Sequence, residues 1–226
     1  MVVAENRDNA QSVEHLVPNA MLSNPRSNEF GDFYACRKCN SRKSNIDYVL
    51  AVVAKVQSRN PTTAVDTFVR ALSTEDGRAK PFERMLSTVR ETADGGAVME
   101  MPVAGQALLE YATFLGKGQY FKRHRKVFNS GQHVFLFQWF DKRVTSSFEN
   151  HYEGRHGSNN FRDLEQNSYT EVIASGESMI YSKNDKYLFV FHDYIGIGIQ
   201  VKSRNTKNLK RAAGRNEAFL KGFDQH

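Results

Sequence analysis

The spacing of apolar residues along the chain predicts where its first strands and helix lie. Residues 12–18 alternate between polar and apolar side chains, which predicts a short strand, and residues 33–35 predict a second one. Between them, residues 19–31 contain Asn, Ser, Pro and Gly without a period, which is typical of a loop. Apolar residues then recur at helical spacing across residues 39–57. The chain therefore begins as strand, loop, strand and helix.

The rest of the chain changes from helical to strand-like periodicity. Helices are predicted at residues 62–72, 81–92 and 106–114, with a short strand near residues 98–103. Five strand-like runs then follow at residues 133–140, 169–174, 178–181, 187–192 and 195–201. Asn184 and Asp185 are suited to a hairpin turn between two of these runs. A last helix is predicted at residues 206–223.

These elements predict an α+β fold in two parts. Residues 1–58 form the strand, loop, strand and helix unit. Residues 59–226 form a second α+β part, helical to about residue 128 and mostly antiparallel β from residue 133 to residue 202, with a terminal helix. The apolar run at residues 134–140 is explained by core packing of a sheet rather than by ligand binding.

Composition and charge narrow the class of partner. The chain has 226 residues, 40% of them hydrophobic, which favours a folded protein with a real core. Its net charge of +6 favours a polyanionic partner. No window approaches the roughly 18 apolar residues of a membrane span, so we expect no membrane partner. The first residues lack a basic and then apolar export signal, which favours a cytoplasmic location.

The two segments with the most chemical information flank the first loop. Glu14-His15-Leu16-Val17-Pro18 ends the first predicted strand, and Cys36-Arg37-Lys38-Cys39-Asn40-Ser41-Arg42-Lys43 begins the first predicted helix. Hydrolysis of a phosphodiester requires a base that activates water and a cation that neutralises charge on the phosphate. A neutral imidazole such as His15 suits the first task. Glu14 and Asn40 offer oxygen atoms, which a hard divalent cation such as Mg²⁺ prefers.

In order and spacing, residues 12–45 resemble the HNH endonuclease motif of the ββα-metal nuclease family. The resemblance rests on SVEHLVP followed by GDFYACRKCNSRKSN, and it covers about a seventh of the chain. It implies that His15 is a general base and that Glu14 and Asn40 bind a divalent cation, Mg²⁺ or a similar ion. The family places an asparagine that holds the histidine-bearing loop five residues before the first cysteine. Here Gly31 stands at that position, so Asp32 or Asn28 must substitute, and we favour Asp32.

The cysteine pair permits two interpretations. Cys36 and Cys39 have the spacing of one half of a zinc site. Many members of the family carry a second CxxC pair upstream, and residues 1–11 contain neither cysteine nor histidine. The pair is therefore either a zinc half-site whose partners lie elsewhere or two small buried groups that pack without metal.

Basic residues predict where nucleic acid binds. In the first helix these are Arg37, Lys38, Arg42 and Lys43, and in the later basic run they are Lys122, Arg123 and Arg125. Aromatic residues flank the later run, as in surfaces that stack bases. An exposed helix face that binds no nucleic acid would have the same basic residues.

Three functions from different classes follow. The favoured one is a metal-dependent DNA endonuclease, with RNA left open as a substrate, in which the first unit cuts and the larger part places the substrate. The second is a nucleic-acid-binding protein derived from such a nuclease and without activity. The third is a structural or protein-interaction module built on the aromatic sheet.

Overall fold

The predicted start of the chain has the expected order of elements. A computed structural model describes residues 11–27, 29–56, 61–74, 77–95, 97–141, 169–174 and 177–224. Strand β1 (Gln11–Glu14) pairs antiparallel with β2 (Phe33–Cys36), and helix α1 (Arg37–Val56) follows β2 directly. A single 3-10 turn (Asn19–Met21) lies in the connecting loop. This confirms the ββα unit, although α1 begins two residues before the predicted start, and residue 57 lies outside the described residues.

The helices that follow differ in length from the prediction. They are α2 (Pro61–Leu72), α3 (Lys80–Ser87) and α4 (Gly105–His124), and the short strands β3 (Arg90–Glu91) and β4 (Ala97–Val98) form a hairpin between α3 and α4. The predicted helix at residues 81–92 was therefore too long, because its last residues enter the hairpin. Gly95, at a φ of 77°, lies in the connecting turn, where glycine adopts a positive φ without strain.

Helix α4 runs ten residues beyond its predicted end because its glycines serve close packing. A Cβ atom built on Gly118 would lie 2.5 Å from the Phe33 ring and 2.7 Å from Leu16, so only glycine lets α4 approach β2 this closely. The helix ends at His124, and the capping residue after it, Arg125, adopts a left-handed conformation with a φ of 53°. The basic residues 122–124 are consequently the last turn of a helix that lies against the ββα unit.

The second part of the chain contains the predicted antiparallel sheet. Its strands are β5 (His133–Asp141), β6 (Tyr169–Ile173), β7 (Ser178–Lys183), β8 (Lys186–Phe191) and β9 (Ile195–Ser203), in the order β5-β9-β8-β7-β6. Lys183 pairs with Lys186, which confirms the predicted two-residue turn at Asn184 and Asp185. The terminal helix α5 (Thr206–Asp224) packs on β5. The α+β fold class is confirmed.

One buried cluster connects the two predicted parts. It includes Leu16 and Phe33 of the first unit, Leu115 of α4, and Phe135 and Ile199 of the sheet, all less than 8% exposed. Burial of such side chains is the main favourable contribution to folding. The ββα unit is therefore held against the sheet by α4. The division at residue 58 remains a prediction.

The helices of the structure bear on the prediction that the chain has no membrane partner. None of the described helices is both long and apolar enough to cross a membrane.

Candidate active site

His15 lies immediately after β1, at the point where the chain turns into the loop. β1 ends at Glu14, whose carbonyl oxygen accepts a hydrogen bond from Asp32 N–H at 2.8 Å. Consecutive residues of a continuous strand point to opposite faces, so the end of the strand allows Glu14 and His15 to adopt independent directions. The Glu14 side chain meets α1, and the His15 ring lies beside Arg26 and Asp32.

Asp32 holds the backbone that follows His15. Its Oδ2 accepts a hydrogen bond from Leu16 N–H at 2.9 Å, which is the contact required of a residue that holds this loop in shape. Burial alone would raise the pKa of Asp32, but the hydrogen bonds from Lys122 and from Leu16 N–H outweigh burial and lower it. Asp32 is therefore ionised at neutral pH. Asn28, the other candidate for this role, lies outside the described residues.

Lys122 of α4 connects Asp32 to the sheet. Its Nζ lies 2.8 Å from Asp32 Oδ1 and also donates a hydrogen bond to Glu171 of β6. Arg26 lies 3.9 Å from Asp32 Oδ2 and donates a hydrogen bond to the Val17 carbonyl. Asp32 thus joins two cations from different elements, and both remain partly exposed.

His15 is buried and uncharged at neutral pH. Its residue is 9% exposed, and burial together with the nearby Arg26 guanidinium lowers its pKa below the ordinary value. Within the described part of the chain, His15 Nε2 has no hydrogen-bond partner and no contact with solvent. A buried polar nitrogen without a partner costs about 1–3 kcal/mol, so the site retains an unpaired group at the position predicted for the base.

Lys43 lies inside the protein rather than on the surface where we predicted a nucleic-acid contact. Its Nζ is 2.7 Å from Glu14 Oε1 and 2.9 Å from Asp47 Oδ2, and it donates to the His15 carbonyl at 3.3 Å. The Lys43 residue is 2% exposed. The prediction for Lys43 is corrected accordingly, because a side chain that is buried and bound to two carboxylates presents no charge to a phosphate backbone.

The pKa values of this cluster reflect the competition between burial and ion pairing. Burial raises the pKa of Glu14 and of Asp47 above their ordinary values, although the Lys43 ammonium opposes the shift. Burial would lower the pKa of Lys43, but the Asp47 and Glu14 carboxylates outweigh it and raise that pKa. Tyr111, whose ring centroid lies 5.7 Å from Lys43 Nζ, closes the cluster on the α4 side. Lys43 is therefore held firmly in its charged form.

Asn40 joins α1 to β1. Its Nδ2 donates to Ser12 Oγ at 2.8 Å and to the Val13 carbonyl at 3.3 Å. Asn40 and Lys43 are about one turn apart on the same side of α1. Because Lys43 is paired with Glu14, the two predicted ligands Asn40 and Glu14 lie on the same side of this helix. The residues present do not fit a divalent cation at Glu14 in this arrangement, because the Glu14 carboxylate is neutralised by Lys43.

Cys36 and Cys39 form a disulfide at the start of α1. The structure joins the two sulfurs, and Cys39 N–H lies 3.2 Å from Cys36 Sγ. Neither sulfur is a thiolate in this state, so the pair offers no zinc ligand. Across the described ranges, no group of three or more His, Cys, Asp or Glu side chains is placed to hold a metal ion. The predicted zinc half-site therefore gains no further ligand from these residues.

Two basic residues in the first turns of α1, Lys38 and Arg42, face α4. Arg37 and Lys38 are exposed, and Arg42 Nη2 forms an ion pair with Glu110 at 2.7 Å while its side chain stays 59% exposed. Lys38 and Arg42 line a groove of about 560 Å³ between the two helices. Residues at these positions point roughly 160–200° away from Asn40 around the helix axis. The groove therefore opens on the other side of α1 from the β1 contacts.

The basic residues at the end of α4 have mixed surroundings. Lys122 is bound to Asp32 and Glu171, whereas the Arg123 guanidinium lies over the exposed Tyr169 ring at 5.1 Å. Arg125 is exposed at the end of the helix. The cation and ring pair of Arg123 and Tyr169 is suited to contact with a phosphate and a neighbouring base.

The sequence interpretation missed two interactions. Lys43 and Asp47 are four residues apart in a predicted helix, and Lys43 precedes the apolar Ile46 and Leu50 by three and seven residues, so helical spacing placed it on the buried face. Lys122 contacts Asp32 across 90 residues of sequence, and no local pattern indicates that pairing.

Comparison of the chain with protein-family models, curated proteins and solved structures finds no match. The residues and geometry of the site are consequently the basis for assigning a function.

Proposed function

We propose that the chain is an endonuclease that hydrolyses DNA phosphodiester bonds with His15 as the general base. The observation that carries the proposal is the state of His15: an uncharged imidazole placed after the first strand of a ββα unit, with Nε2 lacking any partner among the described residues. An imidazole whose pKa is lowered accepts a proton in its neutral form at physiological pH.

The reaction uses the chain's own residues as follows. His15 accepts a proton from a water molecule, and the water oxygen attacks phosphorus. The bond between phosphorus and the leaving oxygen then breaks, and the leaving oxygen takes a proton from solvent. Arg26, whose side chain is 33% exposed, is the cation we assign to neutralising charge on the phosphate. Lys122 is already paired with Asp32 and Glu171, so its part is to hold Asp32 in place.

Two conditions follow from the geometry. His15 Nε2 is buried, so substrate binding must expose it before it can reach water. Glu14 is paired with Lys43, so no step of the reaction described above uses Mg²⁺. The Mg²⁺ dependence that the resemblance implies is tested in the assay below. We propose a cytoplasmic location as well. The disulfide between Cys36 and Cys39 argues against it, because disulfides are rare in the cytosol.

A second candidate is a nucleic-acid-binding protein that does not cut. The pairing of Glu14 with Lys43 favours it, because the carboxylate expected to bind a catalytic cation is already compensated. The exposed basic residues of α1 and α4 would then account for the whole function.

Supercoiled plasmid and labelled DNA and RNA oligonucleotides distinguish the two candidates. The wild type, His15→Ala and a matched control, His124→Asn, are compared at low salt in Mg²⁺, in Mn²⁺ and in EDTA. His124 is a histidine paired with Asp185. Hydrolysis predicts that His15→Ala loses about 10²–10⁴-fold in rate while binding persists and the control cuts normally. Binding by all three proteins without cutting supports the second candidate, and the absence of both contradicts each.

A further inference from the structure

Lys43 is bound on three sides by acceptors. Its ammonium contacts Glu14 at 2.7 Å, Asp47 at 2.9 Å and the His15 carbonyl at 3.3 Å. An ammonium has three N–H donors, so these three acceptors use its full hydrogen-bonding capacity. The three residues that contribute side chains, Glu14, Lys43 and Asp47, are 2–6% exposed. The cluster is therefore a complete internal cation site whose cation is a side chain.

The same acceptors would suit a hard metal ion. Two carboxylates and a backbone carbonyl are typical Mg²⁺, Mn²⁺ and Ca²⁺ ligands, which approach such oxygens at about 2.0–2.6 Å. An ammonium 2.7 Å from Glu14 Oε1 occupies that volume, and its charge repels a second cation. Glu14 therefore cannot bind a divalent ion while Lys43 is in place.

We infer that Lys43 is a built-in cation that replaces a divalent metal ion beside Glu14. Lys43 also positions the proposed base, because it binds the side chain of Glu14 and the carbonyl of His15, two consecutive residues at the end of β1. A covalently attached ammonium holds this corner of the ββα unit together at any metal concentration. The inference stands independently of whether the chain cuts DNA.

Removal of the Lys43 ammonium should create a metal site. Methionine is one heavy atom shorter than lysine, so replacing Lys43 with methionine keeps the apolar stem but removes the ammonium. The position between the two buried carboxylates and the His15 carbonyl is then vacant and uncompensated. Mn²⁺ should then bind to the variant. The wild type should bind no Mn²⁺ through Glu14.

Mn²⁺ titration followed by electron paramagnetic resonance tests this with full-length protein. We expect Lys43→Met to bind one Mn²⁺ per chain at least about tenfold more tightly than the wild type, a difference of about 1.4 kcal/mol. The double variant Lys43→Met with Glu14→Gln should lose that binding. Lys38→Met, which removes an exposed lysine from the same helix, should bind Mn²⁺ as weakly as the wild type does. Circular dichroism checks that each variant is folded.

Two results would overturn the inference. One is stoichiometric Mn²⁺ binding by the wild type that Glu14→Gln abolishes, since Glu14 would then be a metal ligand in spite of Lys43. The other is a folded Lys43→Met variant that binds Mn²⁺ no better than the wild type. If Lys43→Met does not fold, the comparison of wild type with Glu14→Gln decides: equal Mn²⁺ binding supports the inference. The plasmid assay reads cleavage separately, so failure of the proposed nuclease activity leaves these outcomes unchanged.

Discussion

Removal of the Lys43 charge should destabilise the protein in a manner that depends on pH. Lys43 Nζ lies 2.7 Å from Glu14 and 2.9 Å from Asp47. At an effective dielectric constant of about 20, each contact is worth about 6 kcal/mol of Coulomb attraction. Desolvation of the ammonium offsets much of this, and in Lys43→Met one carboxylate can become protonated. The expected net loss at pH 7 is therefore about 3–5 kcal/mol, the usual cost of removing one partner of a buried ion pair.

The sign of the pH dependence follows from the two carboxyl groups. Without Lys43, burial holds the folded-state pKa values of Glu14 and Asp47 further above the ordinary values of 4.5 and 3.8. A group with a raised folded-state pKa contributes its full stability below the unfolded-state pKa and loses it as the pH rises through the folded-state pKa. The deficit of Lys43→Met relative to the wild type should thus be largest at pH 7 and shrink toward pH 4.5.

Urea denaturation at both pH values, followed by circular dichroism, measures the deficit. A loss of 3–5 kcal/mol is within the usual stability of 5–15 kcal/mol, so the variant should remain mostly folded. Lys38→Met, an exposed control on the same helix, should change the free energy of unfolding by less than about 0.5 kcal/mol. A Lys43→Met deficit below about 1 kcal/mol at pH 7, or an equal deficit at both pH values, would refute the buried ion cluster.

Three further predictions concern other residues of the site. Asp32→Asn should lower the free energy of unfolding at neutral pH by about 1–3 kcal/mol. Because the pKa of Asp32 is lowered on folding, its contribution is present above about pH 3.8 and is lost as the pH falls through the folded-state pKa. The urea curves of the wild type and of Asp32→Asn should therefore lie closer together at pH 3 than at pH 7. Protein purified without reductant should show no free thiol at Cys36 or Cys39 by Ellman assay in denaturant. Because the loop is so short, reduction of the disulfide should lower the free energy of unfolding by at most about 2 kcal/mol. Two free thiols with bound zinc would favour the zinc interpretation. Lys38→Ala should lower the slope of log K against log salt for DNA binding by about 1, and an unchanged slope would remove Lys38 from the interface.

The sequence predicted the architecture well where periodicity is strong. The ββα unit and the antiparallel meander follow from alternation and helical spacing, and the Asn184-Asp185 turn follows from local turn chemistry. The length of α4 was missed because Gly116 and Gly118 resemble helix breakers in the sequence. In the folded protein both glycines face close neighbours, Phe135 and Phe33 respectively, and their small size is what the packing requires.

The site was predicted less completely because its contacts depend on tertiary packing. The sequence placed His15, Glu14 and Asn40 at the junction of β1 and α1, but it could not show that a lysine from α1 would form an ion pair with the carboxylate of Glu14. The attachment of Asp32 to Lys122, and through it to Glu171, joins residues far apart in the chain. Such pairings arise only when α4 and β6 are packed against the first unit.

The most direct test of His15 as the general base combines two titrations. The cleavage rate is measured as a function of pH, and the imidazole of His15 is titrated by NMR, with His15→Ala identifying its resonance. A base acts in its deprotonated form, so the rate should rise with pH and level off, with its midpoint at the pKa of His15, below 6.5. Cleavage by His15→Ala at the wild-type rate, or a rate profile whose midpoint differs from the titration of His15, would contradict the account.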